Sequence, residues 1–230
     1  MKMNGNTILI TGGATGIGFS MAAYFYAREN TVIICGRRGN RLEEARKKLP
    51  GLNTVKCDVT DPEGRKKLAA YIKEKFPAIN MVINNAGIQR DIDLTTGLKG
   101  LEAGESEITV NLEAPIYLSA LFTPLLTGKE NAVIVNVSSG LAFMVEHATG
   151  MPVYCATKAG LHTFSMAQRK QLAPLGIRVV EIIPPAVESE LNPEGRKKRN
   201  AAGTLRLISS DEFAAKALVK MEKDADEIRL

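Results

Sequence analysis

Val- and Ile-rich runs of strand length recur along this chain with helix-like segments between them, and that alternation is the tightest constraint on its fold. The runs are TILI at 7–10, TVIIC at 31–35, NTVKC at 53–57, MVIN at 81–84, AVIVNV at 132–137 and RVVEII at 178–183. Most lack in–out alternation, as strands buried on both faces do. Between them, GFSMAAYFYAREN, RLEEARKKL and PEGRKKLAAYIKEKF carry the apolar spacing of amphipathic helices, with Gly or Pro marking several ends. Strand and helix in alternation predict an α/β protein, a doubly wound parallel sheet with helices on both faces. A weaker run, DEIRL at 226–230, adds a seventh strand at the edge. No repeat, linker or compositional break divides the 230 residues, so one domain, 1–230, is expected.

Composition narrows the setting. No apolar run approaches the ~20 residues of a membrane span, and the start, MKMNGNTILITGG, lacks a signal-peptide layout. Cys35, Cys57 and Cys155 are odd in number and widely spaced, which fits three structural thiols in a reducing cytoplasm. The formal charge is +5, and much of the excess is one run, GRKKRN at 195–200. One such run is a solvated surface or a lid over an anionic ligand before it is a nucleic-acid footprint, so no nucleic acid and no membrane are expected as partners.

The first strand opens directly into ILITGGATGIGFSMAAYF, placing Gly12, Gly16 and Gly18 between strand and helix. Glycines there allow a tight turn and let backbone N–H groups approach a pyrophosphate at a helix N-terminus. The spacing differs from the common G-x-G-x-x-G fingerprint, but the position after strand one is the context that fingerprint requires. In dinucleotide-binding sheets an acid at the end of strand two accepts from the ribose 2′-OH. Here that stretch reads VIICGRRGNR, with Arg37 and Arg38 and no carboxylate. Guanidinium groups suit a 2′-phosphate, so NADP(H) is favoured over NAD(H).

Further on, VYCATKAG places Tyr154 and Lys158 four apart, on one face if the stretch is helical. A phenol near ~10 and an ammonium near ~10.4 are poor acids at neutral pH when isolated. Together, the cation favours the phenolate and draws the phenol toward working pH. His147 and His162 are not spaced with other ligands, so no metal is expected; they read as loop and helix-surface residues. No Ser–His–acid arrangement supports hydrolase chemistry.

Taken in order, these residues resemble the short-chain dehydrogenase/reductase family, in its single-domain branch, over nearly the whole chain. TGGATGIG at 11–18, CDVTD at 57–61, NNAG at 84–87, Asn111 in ITVNLEAP, NVSSG at 136–140 and YCATK at 154–158 match its motifs in sequence and interval. Within the family the likeness is closest to a subgroup carrying GATGIG, VSSGLAF and EIIPPAV. The resemblance implies a Rossmann-type sheet of about seven strands. It implies cofactor contacts from Gly12, Ala14, Thr15, Gly16, Ile17 and Gly18, then Arg37 and Arg38, then Asp58 and Val59 at the adenine. Asn85, Ala86 and Gly87, then Tyr154 and Lys158, and Pro184, Val187 and Ser189 near the nicotinamide complete the set. Two departures stand out. Ser139 lies 15 residues before Tyr154, further than is usual, with AFMVEHATGMP as a loop at the pocket mouth. The family's Pro-Gly reads Pro184-Pro185, and Ser189 replaces its Thr.

The activity implied is hydride transfer between a nicotinamide cofactor and a small carbonyl or alcohol, with Asn111, Ser139, Tyr154 and Lys158 as the catalytic set. Tyr154 supplies the proton, Lys158 lowers the phenol's pKa, Ser139 bonds the substrate oxygen, and Asn111 holds a water that links Lys158 to solvent. The runner-up is a catalytically idle dinucleotide-binding sensor of the same fold. The complete four-residue set favours the enzyme, because a sensor is free to lose any member. A sugar-nucleotide epimerase fits poorly, since 230 residues leave little room for a substrate domain. The stretch 188–208, where the family builds its substrate lid, identifies no substrate. Apolar residues such as Ala159, Leu161, Phe164 and Met166 spread beyond one face of their helix, and the 114–126 segment shows the same excess. With the resemblance, they imply a homodimer or homotetramer.

Overall fold

The computed structural model describes residues 1–144, 146, 149–195 and 207–230. Seven parallel strands form one sheet: β1 (Thr7–Thr11), β2 (Thr31–Gly36), β3 (Asn53–Lys56), β4 (Met81–Asn84), β5 (Val133–Val137), β6 (Arg178–Ile183) and β7 (Glu227–Arg229). Their spatial order is β3-β2-β1-β4-β5-β6-β7. The most buried strands lie centrally: β1, β4 and β5 are buried at every residue, while the edge strands β3 and β7 are partly exposed. This is the doubly wound arrangement that the strand–helix alternation predicts.

Alternate residues of each strand feed two cores. One face packs α1 (Gly16–Tyr26), α2 (Gly39–Lys48) and α7 (Ser210–Glu222), joining Ile8 and Ile10 to Met21, Phe25, Leu42, Phe213 and Leu218. The other packs α3 (Pro62–Lys75), α5 (Ala114–Leu126) and α6 (Pro152–Leu172), joining Leu9 and Ile33 to Leu68, Ile72, Leu118, Phe122 and Leu172. The short α4 (Leu98–Glu102) lies between β4 and α5. Helix ends follow local chemistry. Asp61 caps α3 by accepting from Glu63 N at 3.0 Å, with Pro62 in the first turn. Ser209 caps α7 by accepting from Glu212 N at 3.1 Å.

Boundaries shift by a residue or two at several elements, and the first helix and last strand show it most clearly. The first helix stops at Tyr26 instead of running to Asn30, because Glu29 takes a left-handed conformation and Asn30 Nδ2 donates to the Phe25 carbonyl at 2.8 Å. The seventh strand is three residues, not five. All three cysteines are free and buried, and burial pushes each thiol up, Cys57 to about 11. They are structural thiols, as their spacing suggested.

Candidate active site

Strand order reverses between β1 and β4, and crevices in open α/β sheets form outside strand C-termini at such a point. Here the two strand ends are tied together. Thr11 Oγ1 accepts from the backbone N–H groups of Asn85 and Ala86, each at 3.0 Å, and Asn85 Nδ2 donates to the carbonyls of Thr11 and Gly12. Above them lies a cleft of about 1140 Å³.

The glycine turn forms one end of that cleft. Gly12 has φ +63°, and a Cβ there would stand 2.9 Å from the Ala86 Cα. A Cβ on Gly18 would stand 2.4 Å from Asn85 Nδ2 and 2.5 Å from the Gly12 carbonyl oxygen. The backbone is therefore packed as tightly as hydrogen allows. The N-terminus of α1 carries no side-chain cap and no acid in its first turn, so its N–H groups and positive dipole end are available to an anion. This cradle fits a dinucleotide pyrophosphate. Beside the turn, Arg37 pairs with Glu105 and lies 4.0 Å from Asp58. Arg38 reaches Glu190 at 2.8 Å and Thr15 Oγ1 at 3.3 Å, and Arg41 holds the other Glu190 oxygen at 2.7 Å.

The far end is built by β5, α6 and the loop after β4. Tyr154 and Lys158 are both buried on α6, and Lys158 Nζ stands 5.8 Å from the Tyr154 ring centre. Nζ donates to the Val137 carbonyl at 2.8 Å. Burial lowers the Lys158 pKa to about 8, with the negative charge of Glu181 opposing the fall. Ser139 Oγ accepts from Leu141 N at 3.2 Å, which leaves its hydroxyl proton without an acceptor among the described residues.

Every cofactor residue expected from sequence lines this one cleft, as do Ser139, Tyr154 and Lys158. Asn111 does not. It is fully buried in a π-helical turn, Thr109–Glu113, before α5. Its Oδ1 accepts from Ile88 N at 2.9 Å, and its Nδ2 donates to Ile88 O at 2.8 Å and to Thr157 Oγ1 at 3.2 Å. It clamps the loop after β4 to α6.

His162 corrects the sequence expectation. It is not a helix-surface residue: its side chain is 17% exposed, and Nδ1 lies 2.7 Å from Oε2 of the buried Glu181. The fold also brings Glu227 to this pair, the three donor atoms lying within 4.8 Å of one another. Sequence spacing hid this cluster. His162 and Glu181 are each other's partners and Glu227 pairs with Arg229, so the cluster is satisfied without an ion. His147, residues 196–200 of the basic run and most of the 188–208 stretch lie outside the described residues. The sequence reading also missed Glu105 and Glu190, whose proximity to the arginines depends on tertiary contact. It missed Glu181 as well, although a carboxylate inside RVVEII was a visible signal.

Residues 6–200 match the family model described as short chain dehydrogenase. The chain is 44% identical to an uncharacterised oxidoreductase, DltE, of Bacillus subtilis (strain 168), over 99% of this chain and 89% of that one. Among solved structures it is similar to a short-chain dehydrogenase from Sphingobium yanoikuyae in complex with NADPH, with a TM-score of 0.80 and 29% identity, covering 96% of this chain and 86% of that chain. It is also similar to a 3-ketoacyl-(acyl-carrier-protein) reductase from Brucella melitensis complexed with NADH, with a TM-score of 0.82 and 26% identity, covering 94% and 90%.

Proposed function

The chain belongs to the short-chain dehydrogenase family, and from that premise we propose that it is an NADP(H)-dependent oxidoreductase interconverting a small carbonyl and its alcohol. One observation carries the reading: the glycine cradle and the Ser139, Tyr154, Lys158 group face into a single cleft. The nicotinamide cofactor supplies hydride chemistry when bound. The protein's part is a proton and a charge. Tyr154 donates its hydroxyl proton to the substrate oxygen as negative charge develops there. Lys158, protonated, stabilises the phenolate left behind. Ser139 gives the same oxygen a second hydrogen bond, worth on the order of 3 kcal/mol in such a role. Asn111 completes the set as a positioning residue, through its grip on Ile88 and Thr157.

The preference for NADP(H) is argued from an exchange. Arg37 and Arg38 each pair with a carboxylate across the adenosine end. Exposed ion pairs of that kind are worth about 0–1 kcal/mol. Forked guanidinium bonds to a phosphate, at about 1.5–3 kcal/mol each, outweigh them. NADPH is therefore expected to bind at least tenfold more tightly than NADH, about 1.4 kcal/mol. Fluorescence titration of both cofactors checks this, and equal affinities would overturn it. Arg37→Asp should move the preference toward NADH. The activity is tested by following NADPH loss against a panel of ketones, aldehydes and quinones. Tight cofactor binding with no turnover on any of them would favour an idle dinucleotide binder instead.

A further inference from the structure

The sheet carries a row of polar side chains among apolar neighbours. Asn84, Asn136, Glu181 and Glu227 are register partners on β4, β5, β6 and β7. They lie on the face covered by α5 and α6, where Asn84 reaches Ser119, Asn136 reaches Ser165 and Gln168, and Glu181 reaches His162. Glu181 is 0% exposed. A carboxylate in such a place is costly unless it is hydrogen-bonded and its charge is answered. Ser138 Oγ donates to its Oε1 at 2.5 Å, and His162 Nδ1 holds its Oε2.

Both partners connect Glu181 to the catalytic end. Ser138 stands between Ser139 and Val137, the residue whose carbonyl receives Lys158 Nζ. His162 is one helical turn beyond Lys158 on α6. Lys158 is itself buried, and no carboxylate makes a direct ion pair with it among the described residues.

We infer that Glu181 is the counter-charge of the Lys158 ammonium, held at one remove by Ser138 and His162, and thus a positioning residue that keeps Lys158 protonated. The inference rests on Lys158 belonging to the catalytic set. Other groups facing Glu181 do not take over this part. Asn136 on β5 and Ser138 just after it are uncharged. On α6 the ionisable side chains besides Lys158 and His162 are Tyr154, Cys155, Arg169 and Lys170; Arg169 is turned to the carbonyls of Val179 and Asp226, and Lys170 is exposed. On β7, Glu227 is matched by Arg229, whose Nε lies 2.9 Å from it. Phe143, after β5, is neutral and packs edge-on against His162 at 4.7 Å, with the Arg229 guanidinium 3.9 Å from its ring centre. Burial drives Lys158 toward its neutral form, and Glu181 is the one charge that opposes it.

The test reads the lysine directly. The protein is labelled with ¹³C at lysine Cε and titrated by NMR, with the Lys158 signal assigned by its loss in Lys158→Arg. Glu181→Gln keeps the size and the bond from Ser138, and its NH2 group can donate to His162 Nδ1 in the Nε2–H tautomer, but it removes the charge and should lower the Lys158 midpoint by about one pH unit. His162→Gln keeps the carboxylate and should move the midpoint much less. An unmoved midpoint in folded Glu181→Gln, or equal shifts in the two variants, would overturn the inference. If Glu181→Gln does not fold, the carboxyl ¹³C signal of Glu181 in the wild-type protein decides: an ionised group at neutral pH supports the inference and a protonated one refutes it. Once a substrate is known, the alkaline limb of kcat/KM should fall with the midpoint in Glu181→Gln; a stationary limb would refute the positioning role. Failure to find any turnover would remove the proposed activity while leaving the measured midpoint to stand or fall separately.

Discussion

Lys158 carries a charge in a place that disfavours charge, and two consequences follow. Its folded pKa, about 8, lies below the ordinary 10.5, so between those values the unfolded chain binds more protons than the folded one. Stability then rises with pH across that window. Lys158→Met removes the cost and should stabilise the fold at neutral pH by up to about 3 kcal/mol. The gain should shrink as pH climbs through 8 toward 10.5. Urea unfolding over a pH series checks this, and a gain that grows with pH would contradict it. Tyr154→Phe removes only a hydroxyl, so folding and NADPH binding should survive while turnover falls roughly 10²- to 10⁴-fold. Near-normal turnover of that variant on a confirmed substrate would rule out Tyr154 as the proton donor. The Tyr–Lys pair was legible from spacing, because one helical turn fixes it. The Asn111 clamp was not, because its partners Ile88 and Thr157 come from two other segments.

The element proposed to hold the cofactor is the turn from β1 into α1. Its glycines differ in what they tolerate. At Gly18 an added methyl would meet the Gly12 carbonyl, and Gly12 is held in place by its own N–H bond to the Cys35 carbonyl at 2.8 Å. Gly18→Ala should therefore cost about 1–3 kcal/mol in stability. It should also weaken cofactor binding at least tenfold, by displacing Asn85. Gly39, the first residue of α2, has open space where its methyl would go, so Gly39→Ala should be neutral or slightly stabilising. Thermal melts and cofactor titrations of the two variants side by side make the comparison, and equal losses would refute the packing argument. This turn was legible in the sequence because strand, glycines and helix are contiguous there.

For the whole molecule the open question is self-association. Ile108, Tyr117 and Met166 are 56%, 54% and 40% exposed, just before the π-helical turn, on α5 and on α6 respectively. Apolar side chains left outside the core on adjacent helices suit a self-complementary contact about a two-fold axis. A homodimer or homotetramer is expected, the tetramer somewhat favoured. Light scattering at micromolar concentration tests it, and a mass near 24.9 kDa would refute it. Tyr117→Asp should reduce the assembled mass. No helix among the described residues is long and apolar enough to cross a membrane.

Strand positions, helix positions and the glycine turn are readable from the sequence by itself because each depends on neighbours within a few residues. Backbone periodicity alone dictates which side chains share a face. Strand order is different in kind. The alternation of strands and helices is compatible with several orders, and only the assembled sheet places β1 beside β4 and β6 between β5 and β7. Everything that depends on that order was decided by tertiary packing. Arg38 and Glu190 meet across 152 residues, and Glu181 faces His162 because α6 lies on β6. Buried charge obeys the same logic. A lysine and a glutamate can be deprived of water together only once the sheet has closed over both, so their coupling is a property of the fold and not of either motif.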